Sequence, residues 1–256
     1  MAAGTNAPAA LVSIMLANNE VGTIEPIREL AAIAHAHGAP FHTDAVQAVG
    51  HIPVDAHKLD VDALSLSGPS FMGRAVWRPV PARGLSIPPL IAGGAQERGE
   101  RAGTENLAGI VGMATALEEA CERLAADMTR ISTLRDELVG QLLEHADGIR
   151  LTGAPITAGL DGRLPSIASF TCNDVDGELL VVLLDRAGVA AATGSACSTG
   201  STEPSHVLTA MGIDATTARG ALRLSLASNA TAEDIALLIE RIPTCIRKAR
   251  LISSTR

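Results

Sequence analysis

Cys197 stands in the run Ala191-Ala192-Thr193-Gly194-Ser195-Ala196-Cys197-Ser198-Thr199-Gly200-Ser201-Thr202, which follows the apolar stretch Val189-Ala190-Ala191-Ala192. Glu203-Pro204 then opens a helix. A cysteine kept for packing usually has bulky neighbours. One offered on a Gly/Ser/Thr loop can carry a thiolate to a substrate and be oxidised or acylated there. A buried small residue in a loop is the other reading of the same pattern. Arg223 lies inside Ala221-Leu222-Arg223-Leu224-Ser225-Leu226. A guanidinium amid leucines requires a partner, either a bidentate substrate carboxylate or an internal Asp or Glu. Asp44 closes Pro40-Phe41-His42-Thr43-Asp44, with Gln47 three residues on. An acid there suits a protonated heteroaromatic nitrogen or simply a surface turn. Asn19, in Asn18-Asn19-Glu20-Val21-Gly22-Thr23, fits a turn. The Gly-rich segment from Gly93 to Asn106 ends in Thr104 just before a helix, an arrangement that can cradle a phosphate.

These residues need a scaffold, and the chain supplies an alternating one. Leu11 to Leu16 predicts a buried strand, Pro26 a helix running to about His37-Gly38, Pro40 to Asp44 a second strand and Val61 to Ser67 a third. Strand, helix, strand at this spacing implies parallel crossover units, whose ligands sit beyond the strand carboxyl ends. Asn106 to about Asp147 predicts one long helix. Leu164 to Cys172 then predicts a strand, Val175 to Ala187 a helix, Ala221 to Leu226 a strand, and Ala232 to about Arg250 a closing helix capped by Thr231. The fold class is therefore α/β. A large domain over 1–112 precedes a linking helix and a smaller α+β domain over 113–256.

Composition narrows the function classes. Of the 256 residues 47% are apolar but only 2% aromatic, so the cores must be built of Ala, Leu, Ile and Val. A net charge of −8 argues against a nucleic-acid partner and against an anionic membrane surface. Cys121, Cys172, Cys197 and Cys245 form no C-x-x-C pair and have no histidine at zinc-site spacing. That pattern predicts no metal site and a reduced, cytoplasmic chain. Residues 1–10 lack a basic start and an apolar stretch, so no signal peptide is expected, and no apolar run reaches membrane-spanning length.

Gly194-Ser195-Ala196-Cys197 followed by Glu203-Pro204-Ser205-His206-Val207-Leu208 resembles the active-site loop of the cysteine desulfurases. These are pyridoxal-phosphate (PLP) enzymes that move sulfur from cysteine onto their own thiol as a persulfide. His42-Thr43-Asp44-Ala45-Val46-Gln47 is similar to the segment beneath the cofactor ring in that family and its class V aminotransferase relatives. Gln96-Glu97-Arg98-Gly99-Glu100-Arg101-Ala102-Gly103-Thr104-Glu105-Asn106 is similar to a further family segment. The resemblance spans about residues 11–245. It implies part of a PLP-transferase (fold type I) large domain, with a mixed, mostly parallel sheet, plus a smaller carboxyl-terminal domain. It also implies L-cysteine as substrate, an acceptor protein for the sulfur and a link to iron–sulfur cluster assembly. By the same resemblance Cys197 is the catalytic thiol, and Arg223 and Asn19 hold the substrate carboxylate. Asp44 faces the ring nitrogen, Gln47 the ring hydroxyl, and Ser67 is a further cofactor contact. Thr104 reaches the cofactor phosphate of a neighbouring subunit, which implies a homodimer. His42 and His206 are read as structural.

Two departures stand against this. The chain begins at a point that matches the middle of the family's cofactor domain, without the upstream phosphate-binding turn and ring-stacking histidine. After Leu64-Ser65-Leu66-Ser67, moreover, the family has Gly/Ala-His-Lys-Phe, and here stand Gly68-Pro69-Ser70-Phe71. Ser70 holds the place of the Schiff-base lysine, and a hydroxyl can neither form that imine nor act as the amine base. Residues 68–84 also admit a reading-frame explanation. Gly68 to Val76 written as GGC CCA AGT TTC ATG GGC CGC GCG GTG reads, two bases later, Pro-Lys-Phe-His-Gly-Pro-Arg-Gly, which restores the lysine. As written, the chain is expected to be inactive or nearly so. Three readings stay open: a desulfurase by descent, a non-catalytic remnant, and a PLP-independent persulfide carrier.

Overall fold

The computed structural model describes residues 9–67, 77–81 (backbone only), 88–89, 91–194 and 203–253. The chain divides into two compact units, one of residues 1–17 and 25–124, the other of 18–24 and 125–256. The division therefore falls inside the long helix, and the short segment Asn18–Ile24 belongs to the second unit although both its flanks belong to the first.

In the first unit, β1 (Val12–Met15), α1 (Ile27–Ala36), β2 (Phe41–Asp44), α2 (Ala56–Leu59), β3 (Ala63–Ser67) and β4 (Trp77–Pro81) follow in order. The sheet order is β1-β2-β3-β4. The first three strands pair in parallel and β4 adds antiparallel to β3, so the sheet is mixed and mostly parallel, as predicted. Alternation along β2 decides what each face carries. Phe41 and Thr43 are fully buried, while His42 and Asp44 point to the other face and are half-buried. α1 buries Ile27, Ala31 and Ala34, the i, i+4, i+7 stripe that its apolar spacing predicts. A 3-10 turn at Gln96–Gly99 precedes α3 (Leu107–His145), a 39-residue helix that runs into the second unit.

The second unit holds β5 (Ile149–Leu151), α4 (Gly159–Gly162), β6 (Ile167–Cys172), α5 (Gly177–Arg186), α6 (His206–Ala210), α7 (Ala215–Arg219), β7 (Ala221–Ser225) and α8 (Ala232–Ser253). Its sheet β5-β6-β7 is antiparallel throughout, giving the α+β character expected of this half. β6 is buried along its whole length. Phe170 and Leu222 pack with Leu138, Leu142, Leu180, Leu184 and Ile242 into one aliphatic core. That core is what a chain poor in aromatics can build. α5 starts at Asp176, whose carboxylate accepts from the Glu178 and Leu179 amides. α8 starts with a reciprocal cap. The Asp234 amide donates to Thr231 Oγ1, and the Thr231 amide donates to Asp234 Oδ2 at 2.9 Å. The strand β5 and the short helices α2, α4 and α7 were not legible, because three to five residues are too few to show a period.

Candidate active site

In the first unit the polar residues gather at the carboxyl ends of the parallel strands. Asp44 is the last residue of β2, opposite Met15 on β1 and Ser65 on β3. Its Oδ1 accepts from the Val46 amide at 2.9 Å, so the turn that carries Gln47 is folded against the carboxylate. His42 lies two residues back on the same face, its Nδ1 2.8 Å from Ser13 Oγ and its Nε2 2.8 Å from Ser65 Oγ. One imidazole thus ties three adjacent strands together. Burial pushes the His42 pKa down, and the Asp44 charge opposes that shift. The structural role expected for His42 is therefore visible in its contacts. Ser67 ends β3, half-buried. Thr104 is exposed, just after Gly103, whose amide donates to Gln96 Oε1 at 3.3 Å.

In the second unit the turn Asn18–Ile24 is built by its own sequence. Asn18 Oδ1 accepts from the Glu20 amide at 2.8 Å and from the Val21 amide at 2.9 Å, and the Gly22 amide donates to Asn18 O at 3.0 Å. Gly22 has φ +75°, and a Cβ there would lie 3.0 Å from Ile167 Cβ, so both conformation and space require glycine. Arg163 fastens the turn to the sheet. Fully buried, it donates from Nη1 to Val21 O at 2.9 Å and to Ile167 O at 3.3 Å. Nε donates to Ala154 O at 2.6 Å, and Nη2 to Thr152 O. Burial, followed by the charge of Arg135, pushes its pKa down to about 10, with Asp136 opposing.

Arg223 donates from Nη1 to Asn19 O at 2.9 Å, while its buried Nε has no hydrogen-bond partner. Burial lowers its pKa and the charge of Glu20 raises it. The Arg223 backbone also pairs with Ala192, N to O at 2.6 Å and O to N at 3.1 Å, so the guanidinium is fixed beside the segment that leads towards Cys197. Glu20 is 3% exposed and accepts from Ser205 Oγ at 2.5 Å. A cleft of about 1210 Å³ in this unit is lined by Glu20, Thr193, Gly194, Ser205, Arg219 and Arg247, among others.

Asn19, Arg223 and the two flanks of the cysteine loop are therefore brought together within the second unit, and Asp44, Gln47 and Ser67 within the first. Cys197 and Ser70 lie outside the described residues. Glu20, Ser205 and Arg163 were missed as site residues. Glu20 and Ser205 both sit inside motifs quoted for other members, but Arg163 leaves no local signal. Among the described residues, no group of His, Cys, Asp and Glu could hold a metal ion, and no helix is long and apolar enough to cross a membrane. Cys172 is buried, and burial pushes its thiol up to about 12. Cys245 is raised for the same reason, so both are inert packing residues.

The family model of the class-V aminotransferases matches residues 2–75 and 87–238. A cysteine desulfurase of Gluconacetobacter diazotrophicus is 45% identical over 249 residues, which cover 95% of this chain and 60% of that protein. The chain thus spans about 60% of the length of such curated relatives. A NifS-like protein of Rickettsia africae superposes with a TM-score of 0.82 at 28% identity, over 93% of this chain and 62% of that one. SspA solved in complex with cysteine superposes with a TM-score of 0.65 at 31% identity, over 84% of this chain and 58% of that one.

Proposed function

The chain belongs to the class-V aminotransferase family, and from that membership we propose that it carries the substrate-carboxylate and thiol end of a cysteine desulfurase site. The observation that carries this reading is Arg223. A half-buried guanidinium with an unpartnered buried Nε beside Asn19 is a ready carboxylate receptor. It lies one backbone pairing away from the approach to Cys197. On this reading Arg223 and Asn19 hold the carboxylate of L-cysteine. The Cys197 thiolate takes the substrate sulfur, the carbon–sulfur bond giving way to a sulfur–sulfur bond, and passes it to an acceptor protein.

PLP would supply the electron sink for breaking that carbon–sulfur bond. Asp44 at its strand end suits a protonated ring nitrogen, with Gln47 and Ser67 nearby in sequence. Thr104, exposed after Gly103, suits a phosphate presented by a second copy of the chain. The amine is missing. The sequence has two lysines, Lys58 and Lys248. Lys58 is 85% exposed and paired with Asp55, and Lys248 is exposed on α8. The residues present fit the ring but not its covalent tether, so no step through the cofactor is derived for this chain. The same missing amine favours a second reading, in which Cys197 carries persulfide without PLP.

One experiment separates them. Purified chain is incubated with PLP and L-cysteine, and in parallel with glutathione hydropersulfide, with sulfide release and Cys197 mass as readouts. The expected result is no sulfide from cysteine and a gain of one sulfur on Cys197 from the hydropersulfide, which leaves as glutathione thiolate. Sulfide from cysteine would overturn the inference that the amine is indispensable. Silence in both arms would leave the non-catalytic remnant. Sequencing the coding DNA across residues 67–85 tests the reading-frame explanation, which requires a shifted frame there.

A further inference from the structure

Glu20 is the least expected residue of the second unit. A carboxylate only 3% exposed costs several kcal/mol to bury unless something holds it there. Its neighbours identify the reason. Ser205 Oγ donates to Glu20 Oε2 at 2.5 Å, a short charge-assisted bond. The same Ser205 oxygen accepts from the Leu208 amide at 3.2 Å and so caps α6. On the other side stands Gly194, where a Cβ would lie 3.1 Å from Glu20 Oε2 and 3.9 Å from Ser205 Cβ. Glycine therefore leaves the space that the carboxylate fills. Gly194 and Ser205 flank the segment that holds Cys197, so one buried side chain lies against both stems of that loop.

We propose that Glu20 is a positioning residue that holds the two stems of the Cys197 loop, Gly194 and Ser205, at a fixed separation. The turn that carries it is itself rigid, because Asn18 closes it and Arg163 ties it to the sheet through Val21 O. That turn also presents Asn19 O to Arg223. One seven-residue segment, Asn18–Ile24, thereby links the carboxylate-binding arginine to both ends of the thiol loop. Glu20 touches neither substrate nor sulfur and acts only through Ser205 and Gly194. The consequence for sulfur uptake rests on the function proposed above, whereas the clamp itself does not.

The test is hydrogen exchange on the full chain, read on peptides covering 189–194 and 203–210, together with the rate of sulfur uptake by Cys197 from glutathione hydropersulfide. Glu20→Ala and Ser205→Ala are each expected to speed exchange in both peptides about tenfold, the scale of losing a buried hydrogen bond to a charged group. The double variant is expected to be no faster than the faster single one, because both remove the same link. Ser205→Thr, which keeps the hydroxyl and the cap, is expected to restore both exchange and uptake. Protection of the β6 peptide is the control for the fold. If Glu20→Ala loosens β6 as well, Glu20→Gln, which retains an acceptor oxygen, replaces it and is expected to give intermediate rates. Unchanged stem exchange in the Glu20 variants, or additive effects in the double variant, would overturn the clamp whatever Cys197 does. If Cys197 takes no sulfur even in the wild-type chain, the function fails while the exchange data still decide the clamp.

Discussion

The two units treat their polar residues in opposite ways. In the first, the imidazole of His42 has a hydroxyl at each nitrogen and Asp44 accepts from its own turn, so the strand ends are largely satisfied from within. In the second, Arg223 keeps a buried donor without a partner, and Glu20 is buried beside the stems of the thiol loop. Buried polar groups are nearly always paired, so an exception marks either strain or a place kept for a ligand. The contrast teaches where binding capacity survives in this chain. The first unit can still face a ring but has no amine to tether it. The second retains both the carboxylate receptor and the frame of the thiol loop.

The largest effect is expected at Arg163, which underlies the second unit's side of the contrast. Arg163→Met leaves four backbone carbonyls without their donor, and stability is expected to fall by roughly 3 kcal/mol or more, read from the midpoint of a guanidinium titration. A loss below about 1 kcal/mol would mean that the turn Asn18–Ile24 is held by other means. Next comes Arg223. Arg223→Met is expected to weaken binding of L-cysteine, measured by calorimetry, by about ten- to a hundredfold with the fold intact. Equal affinity in wild type and variant would erase the distinction between the units.

The smallest effect belongs to His42, and its sign follows from its burial. Burial lowers its pKa in the folded state below the ordinary 6.5, so the unfolded chain binds the proton more readily. The contribution of His42 is fully present above about pH 6.5 and is lost as the pH falls towards its lowered folded value. Denaturation midpoints are expected to drop across that window in the wild type and to flatten in His42→Gln. A slope that survives the substitution would assign the pH dependence to another group.

Much of the fold was legible because its signals are local. The β-branched run before Asn18, the apolar stripe of α1, and Thr231 with Asp234 three residues on each specify their element with neighbours in sequence. Arg223 was legible as a site residue for a similar reason, since a charge inside an apolar strand is a conflict within five residues. Glu20 and Arg163 were not. Each is an ordinary charged residue in a loop until the fold supplies a partner 185 residues away in the one case and 142 in the other.

By itself the sequence determined the periodic elements, the Asn18 turn, the glycine required at Gly22, the cysteine loop as a motif and the missing lysine at position 70. All of these follow from residue type, spacing or short-range hydrogen bonding. Only the tertiary structure decided that the Asn18–Ile24 segment joins the second unit, that Arg223 keeps an unpartnered donor, and that Glu20 rests against both stems of the thiol loop. Burial and hydrogen-bond partnership depend on which distant segments arrive at the same place, and no local window of sequence carries that information.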